Sequence, residues 1–106
     1  MKLWQGKNDE AIVIFKKGLE IMPDLNDPYL NMDHKKSIEQ ELIVLYYNLG
    51  EAYYNKKDWE NAIIYYNQAL KLNPYYLDVY KKLADTYRQT GDLDKAVWYN
   101  KKRGGI

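Results

Sequence analysis

The stretch Tyr46–Pro74, YYNLGEAYYNKKDWENAIIYYNQALKLNP, decides the fold of this 106-residue chain. Displaced by 34 positions, it falls on the chain's own continuation: Tyr46 meets Tyr80, Leu49 meets Leu83, Gly50 meets Ala84 and Tyr53 meets Tyr87. Asp58 then meets Asp92, Ala62 meets Ala96 and Tyr65 meets Tyr99. The matched residues are large aromatics and small residues in a fixed order, so they mark a structural period rather than a shared composition. A partial third copy lies upstream. Displaced by 51 positions, Ala11-Ile12 meets Ala62-Ile63, Phe15 meets Tyr66, Leu19 meets Leu70 and Pro23 meets Pro74. The excess of 17 over one period is an insertion, residues 26–42.

Periodicity within each copy predicts helices throughout. Over Asp9–Met22, the residues Ala11, Ile12, Phe15, Leu19 and Met22 recur at the three- and four-residue spacing of one helix face, and Pro23 closes the segment. Tyr46, Leu49, Gly50 and Tyr53 form one stripe of a helix over Ile43–Lys56. Asp58 is the expected N-cap of a helix over Trp59–Leu72, stopped at Asn73-Pro74. A fourth helix is expected over Pro74–Gln89, ended by Thr90-Gly91, and a fifth over Leu93–Lys102, capped by Asp92. In the insertion, Asp27-Pro28 reads as a helix start and Ser37-Ile38-Glu39-Gln40 has the spacing of a capping box. The favoured reading extends the second helix backwards, to a start within residues 30–38.

These residues resemble the tetratricopeptide repeat, a helix–turn–helix unit of about 34 residues with the pattern W-x2-L-G-x2-Y, A-x3-F, P. Tyr46-x2-Leu49-Gly50-x2-Tyr53, Ala62-x3-Tyr66 and Pro74 follow it, with Tyr in the Trp and Phe places. The next copy has Tyr80-x2-Leu83-Ala84-x2-Tyr87 and Ala96, but Asn100 where the aromatic belongs; the first keeps only Ala11-x3-Phe15 and Pro23. The resemblance implies an all-α fold, a stack of antiparallel helix pairs in one domain over 1–106. It comprises a partial first repeat (1–25), the insertion (26–42), a full second repeat (43–76) and a truncated third (77–106), about two and a half repeats in five helices. Gly50 with Ala62, and Ala84 with Ala96, are the expected close crossings. Two departures stand out. The first repeat has no leading helix, unless Met1–Gln5 is the end of one, and the last helix turns polar at Asn100 and Arg103, as suits a solvent-facing cap.

Composition excludes several function classes. Sixteen Lys and Arg against 15 Asp and Glu leave a net charge of +1, no footprint for nucleic acid. The longest apolar run, Ala11–Phe15, falls far short of the roughly 20 residues that span a bilayer, and the start shows no signal-peptide stretch. The compartment stays open, with the cytoplasm favoured. Without cysteine there is no disulfide framework and no thiolate chemistry. His34 and Ser37 lie three apart, but an orienting acid and an oxyanion site are missing from the pattern. Asp24, Asn26, Asp27, Asp33 and His34 lack the glycine and alternating ligands of a calcium loop; turn and cap duty accounts for the acids better. The expectation is therefore a protein that is not an enzyme and uses no cofactor or metal.

The resemblance implies a concave groove lined by the first helices of successive repeats, which receives a peptide or a partner helix. By repeat position its lining is Val44, Tyr47, Asn48, Glu51, Tyr54 and Asn55 from the second repeat. The third supplies Asp78, Lys81, Lys82, Asp85, Arg88 and Gln89. Tyr47 and Tyr54 neighbour the inward Tyr46 and Tyr53 and so face elsewhere, either as interface anchors or packed on the next helix. The expected function is a protein-interaction scaffold with a protein or peptide partner. The alternative is a homo-oligomer assembled through the uncovered face Ile12, Phe15 and Leu19. A further reading is the family's clamp for chaperone C-terminal carboxylates. Only Asn48 and, by charge, Lys82 match that clamp, and Asp78 stands where a Lys is expected.

Overall fold

The computed structural model describes the backbone of residues 2–104 and the side chains of residues 7–102. Five α-helices follow one another: α1 (Lys2–Ile21), α2 (Met32–Asn55), α3 (Trp59–Leu72), α4 (Leu77–Thr90) and α5 (Leu93–Gly104), with no strand among the described residues. They form the stack of antiparallel pairs that the repeat implies: α2 packs with α3, α4 with α5, and α1 and α4 join their neighbours α2 and α3. The radius of gyration is 15.1 Å, against about 13 Å for a compact domain of this length. The chain is a slab of 45 × 40 × 15 Å, a side-by-side row of helices rather than a ball.

The helix boundaries carry the corrections. Residues 2–5 are not the tail of a separate leading helix; α1 runs unbroken from Lys2 to Ile21 and takes the second-helix place of the first repeat. The insertion divides into a turn segment and three added turns of α2. In the turn, Asp24 and Asp27 each accept a hydrogen bond from the backbone N–H two residues on, at 2.9 Å. Asn31 caps α2, its Oδ1 accepting from the His34 N–H at 2.8 Å, so Ser37 lies inside the helix and starts nothing. The next helix begins at Leu77 rather than Pro74 because Asn73 holds an Asx turn onto Tyr75, and the Tyr80 hydroxyl donates to the Pro74 carbonyl at 2.7 Å.

The two hairpin turns are copies. Asp58 N–H reaches the Tyr53 carbonyl at 2.9 Å, and Asp92 N–H reaches that of Tyr87 at 3.0 Å, each after a left-handed residue: Lys57 at φ 63° and Gly91 at φ 87°. Asp58 and Asp92 then cap α3 and α5, accepting from the Asn61 and Lys95 N–H groups.

The core lies between α2, α3 and α4. Leu49, Ala62, Tyr66, Ala69, Val79 and Leu83 are fully buried. Gly50 makes the close approach: a Cβ there would stand 2.5 Å from Cδ1 and 2.6 Å from Cε1 of Tyr66. Since contacts so short do not exist, only glycine lets the ring lie flat on α2. Beside this crossing, α3's Tyr65 sits between two α2 rings, 6.3 Å from Tyr46 and 5.5 Å from Tyr53. One period later, Tyr99 sits between Tyr80 at 6.2 Å and Tyr87 at 5.4 Å. Such pairs contribute about 0.5–1.5 kcal/mol each beyond their burial.

Gly50→Ala tests the crossing. Helix propensity alone favours alanine by about 1 kcal/mol, yet the overpacked Tyr66 ring makes the variant less stable by about 1–3 kcal/mol, read as a lower urea midpoint. Gly91→Ala loses about 1 kcal/mol through the left-handed backbone alone, since nothing lies within 4 Å of its Cβ position.

Candidate functional site

The face shared by α2 and α4 gathers most of the expected groove residues. Their placement follows from the hairpin: the tyrosines at 46 and 53 point between α2 and α3, which turns the adjacent 47 and 54 toward α4. Tyr47 is half-buried. Its ring stacks on Tyr76 at 5.4 Å and 13°, and meets Tyr66 at 5.9 Å. Tyr54 stands edge-on to Trp59 at 5.2 Å, and the Lys82 ammonium lies 4.8 Å from its ring centroid.

Glu51 lies between the two rings and ties three helices together. Its carboxylate accepts the hydroxyl of the buried Tyr66 from α3 and pairs with Lys82 of α4 at 3.4 Å. Burial, and then the hydrogen bond to Glu51, push the Tyr66 phenol far above the usual range. Burial likewise raises Tyr47 to about 12, with Glu51, Tyr76 and Asp78 adding to the effect. Both phenols are therefore neutral across the physiological range, and that of Tyr66 donates to Glu51. Asp85 pairs with Arg88 at 3.1 Å, one turn along α4. Asn48 is half-buried, while Asn55, Asp78, Lys81 and Gln89 are exposed along the two rims.

The structure does not bring Val44 to this group. It lies one turn before Tyr47, 54% exposed, in a separate apolar trough of 550 Å³ with Gly18 and Ile21 of α1, Met22 just after it and Leu45 of α2. Nor is the expected self-association face open. Ile12 is 7% exposed, and Phe15 and Leu19 are half-buried against the core, because the residues of α1 that match α3's inter-repeat face are covered by α2. The Asp9–Lys56 ion pair and Lys16, 5.7 Å from the Tyr53 ring centroid, fasten the same joint. The exposed apolar residues of α1 are instead Val13, Ile14 and Ile21. At the other end α5 exposes Leu93, Val97 and Trp98, so its outer surface is not the wholly polar cap that Asn100 and Arg103 suggest; the Arg103 side chain lies outside the described residues.

Sequence reasoning missed Tyr66, Tyr76 and Trp59 as ring partners of Tyr47 and Tyr54. A signal for Tyr66 was present: tyrosine in the phenylalanine place brings a hydroxyl that a buried ring must satisfy. Among the described residues no group of three or more His, Asp or Glu gathers as a metal site, and no helix is long and apolar enough to cross a membrane.

Two family models, both described as the tetratricopeptide repeat, match residues 43–76 and 65–97, together just over half the chain. Among curated relatives, Tetratricopeptide repeat protein 16 of Macaca fascicularis is 35% identical over 52 residues, covering 49% of this chain and 6% of that protein. An uncharacterised protein of Methanocaldococcus jannaschii is 39% identical over 51 residues, 48% of this chain and 59% of that protein. The probable UDP-N-acetylglucosamine–peptide N-acetylglucosaminyltransferase SEC of Arabidopsis thaliana is 25% identical over 80 residues, 67% of this chain and 8% of that protein. The chain thus spans less than two thirds of each of these relatives.

The raised Tyr47 phenol has a pH consequence. An unfolded tyrosine ionises near ~10, whereas Tyr47 in the fold ionises at about 12. Its contribution to stability is complete below the unfolded value and is lost as pH rises through that window. A Tyr47→Phe variant therefore shows a shallower fall in melting temperature across it, and phenolate absorbance in the variant has a smaller late-titrating component, since Tyr66, Tyr87 and Tyr99 also ionise late.

Proposed function

We propose, on the premise that this chain belongs to the tetratricopeptide repeat family, that it is a non-catalytic interaction scaffold. Its α2–α4 face receives an extended peptide or a partner helix. Repeats of this family mediate protein–protein interactions, and a site, not a fold, sets which partner is taken. The observation that carries the reading is the aromatic wall of Tyr47, Tyr76, Tyr54 and Trp59, held by the Glu51–Tyr66–Lys82 network.

The chemistry of that wall narrows the partner. Glu51 is balanced by Lys82, and Asp85 by Arg88, so the groove carries little net field. Recognition rests on ring faces and on the amides of Asn48, Asn55 and Gln89, which suits a peptide with apolar side chains and few charges. The carboxylate clamp fits less well. Lys82 is already engaged by Glu51 and the Tyr54 ring, and Asp78 repels an acidic terminus. Self-assembly through Ile12, Phe15 and Leu19 loses its support because α2 covers that face.

A peptide selected from a displayed library against the intact chain tests the groove. Tyr54→Ala and Lys82→Gln each weaken its binding at least tenfold while circular dichroism is unchanged. Undiminished binding by both variants would move the partner site elsewhere. Glu51→Ala is the stability control: it strands the buried Tyr66 hydroxyl and costs about 1–3 kcal/mol.

A further inference from the structure

Helix α2 carries the triplet Tyr-Tyr-Asn twice, at residues 46–48 and 53–55, seven positions apart. In each copy the first ring packs on Tyr65 of α3, the second turns to the α2–α4 face, and an amide follows it. Tyr47 lies on Tyr76 and Tyr54 stands against Trp59, so the face holds two aromatic patches. All four rings are half-buried, which leaves each patch surface to offer a ligand. Asn48 is half-buried and Asn55 exposed, and neither side chain takes part in a hydrogen bond among the described residues.

The spacing of the patches selects the backbone that can span them. Seven helical residues rise about 10.5 Å and return to nearly the same side of α2. A β-strand repeats its same-face residues about every 6.6 Å, so its contacts fall short of the second patch or beyond it. A polyproline II helix repeats a face every three residues, about 9.3 Å, within about 1 Å of the patch spacing. An α-helix also repeats at seven residues, but it brings an apolar side chain midway between. There the Glu51–Lys82 pair lies. Its carbonyls are also bonded internally. Polyproline II leaves every carbonyl free and turns the two intervening residues away from the surface.

Charge on the face favours a neutral ligand. Glu51 pairs with Lys82 and Asp85 with Arg88. Asp78 and Lys81, both exposed on α4, are of opposite sign.

We infer that the α2–α4 face takes an uncharged, proline-rich segment of a partner protein in polyproline II form. One proline lies on the Tyr47–Tyr76 patch and another, three residues along, on the Tyr54–Trp59 patch. The Asn48 and Asn55 amides donate to the segment's carbonyls. Such a segment is ordered before it binds and loses little entropy on docking against rings. This inference rests on the interaction face proposed above and adds the chemistry and spacing of its occupant.

The probe is a labelled decaproline peptide, followed by fluorescence anisotropy with the intact chain. It binds saturably, and raising the salt concentration leaves the affinity unchanged. Tyr54→Ala weakens it at least tenfold. Asn55→Ala, at an exposed position that does not threaten folding, weakens it several-fold. In a glutamine host, prolines three apart bind at least tenfold tighter than the same prolines two apart. An amphipathic helical peptide of equal length with leucines at i, i+3, i+4 and i+7 binds at least tenfold more weakly than decaproline. The inference is overturned by absence of decaproline binding, by binding indifferent to both variants, by equal affinity for the two proline spacings, or by preference for the helical peptide. If decaproline fails while a library-selected peptide still binds and responds to Tyr54→Ala, the interaction face stands and only its assigned occupant falls.

Discussion

The approach of the Tyr66 ring to the bare backbone of Gly50 is the constraint from which the rest of the structure follows. It sets how closely α3 can lie on α2, and so where every other ring between them must go. Tyr65 is thereby delivered between Tyr46 and Tyr53, and the Tyr66 hydroxyl emerges on the far side of α2 at Glu51. Glu51 in turn fixes Lys82, which orders the Tyr54 ring. A packing requirement of the core therefore becomes the organisation of the exposed face. One residue, Tyr66, belongs to both.

Much of the architecture was legible in the sequence because the period is carried by residues with unusual steric demands. Glycine and alanine at crossings, and tyrosine beside them, are informative; Lys and Glu at helix surfaces are not. Asp58 and Asp92 announced their caps for the same reason. The start of α2 was less legible, since both Asn31 and Ser37 can cap, and only the path of the preceding turn, held by Asp24 and Asp27, selects Asn31. Pro74 misled because proline suits a first helical turn equally well when the chain is still turning.

The α2–α4 face was legible as a set of positions, not as a set of interactions. Helical spacing placed Tyr47 and Tyr54 away from the α2–α3 joint, but spacing along one helix cannot reveal that Tyr76 and Lys82, from the next repeat, close over them. The cover over Ile12, Phe15 and Leu19 was not legible for a related reason. A single amphipathic stripe does not say which neighbour covers it, and here the following repeat takes Ile12 while Ile14 is left open.

The single-file order of the helices also governs how the molecule comes apart. α1 is held mainly by α2, and α5 by α4, whereas α3 lies between two neighbours. In such a row, opening proceeds from the ends and each step exposes only one seam. Backbone amides of the outermost helices accordingly exchange with heavy water earliest and those around Leu49 and Tyr66 last, giving the small protein a graded rather than uniform protection along its length. Any partner that clasps a terminal helix thus acts as a brake on that unravelling.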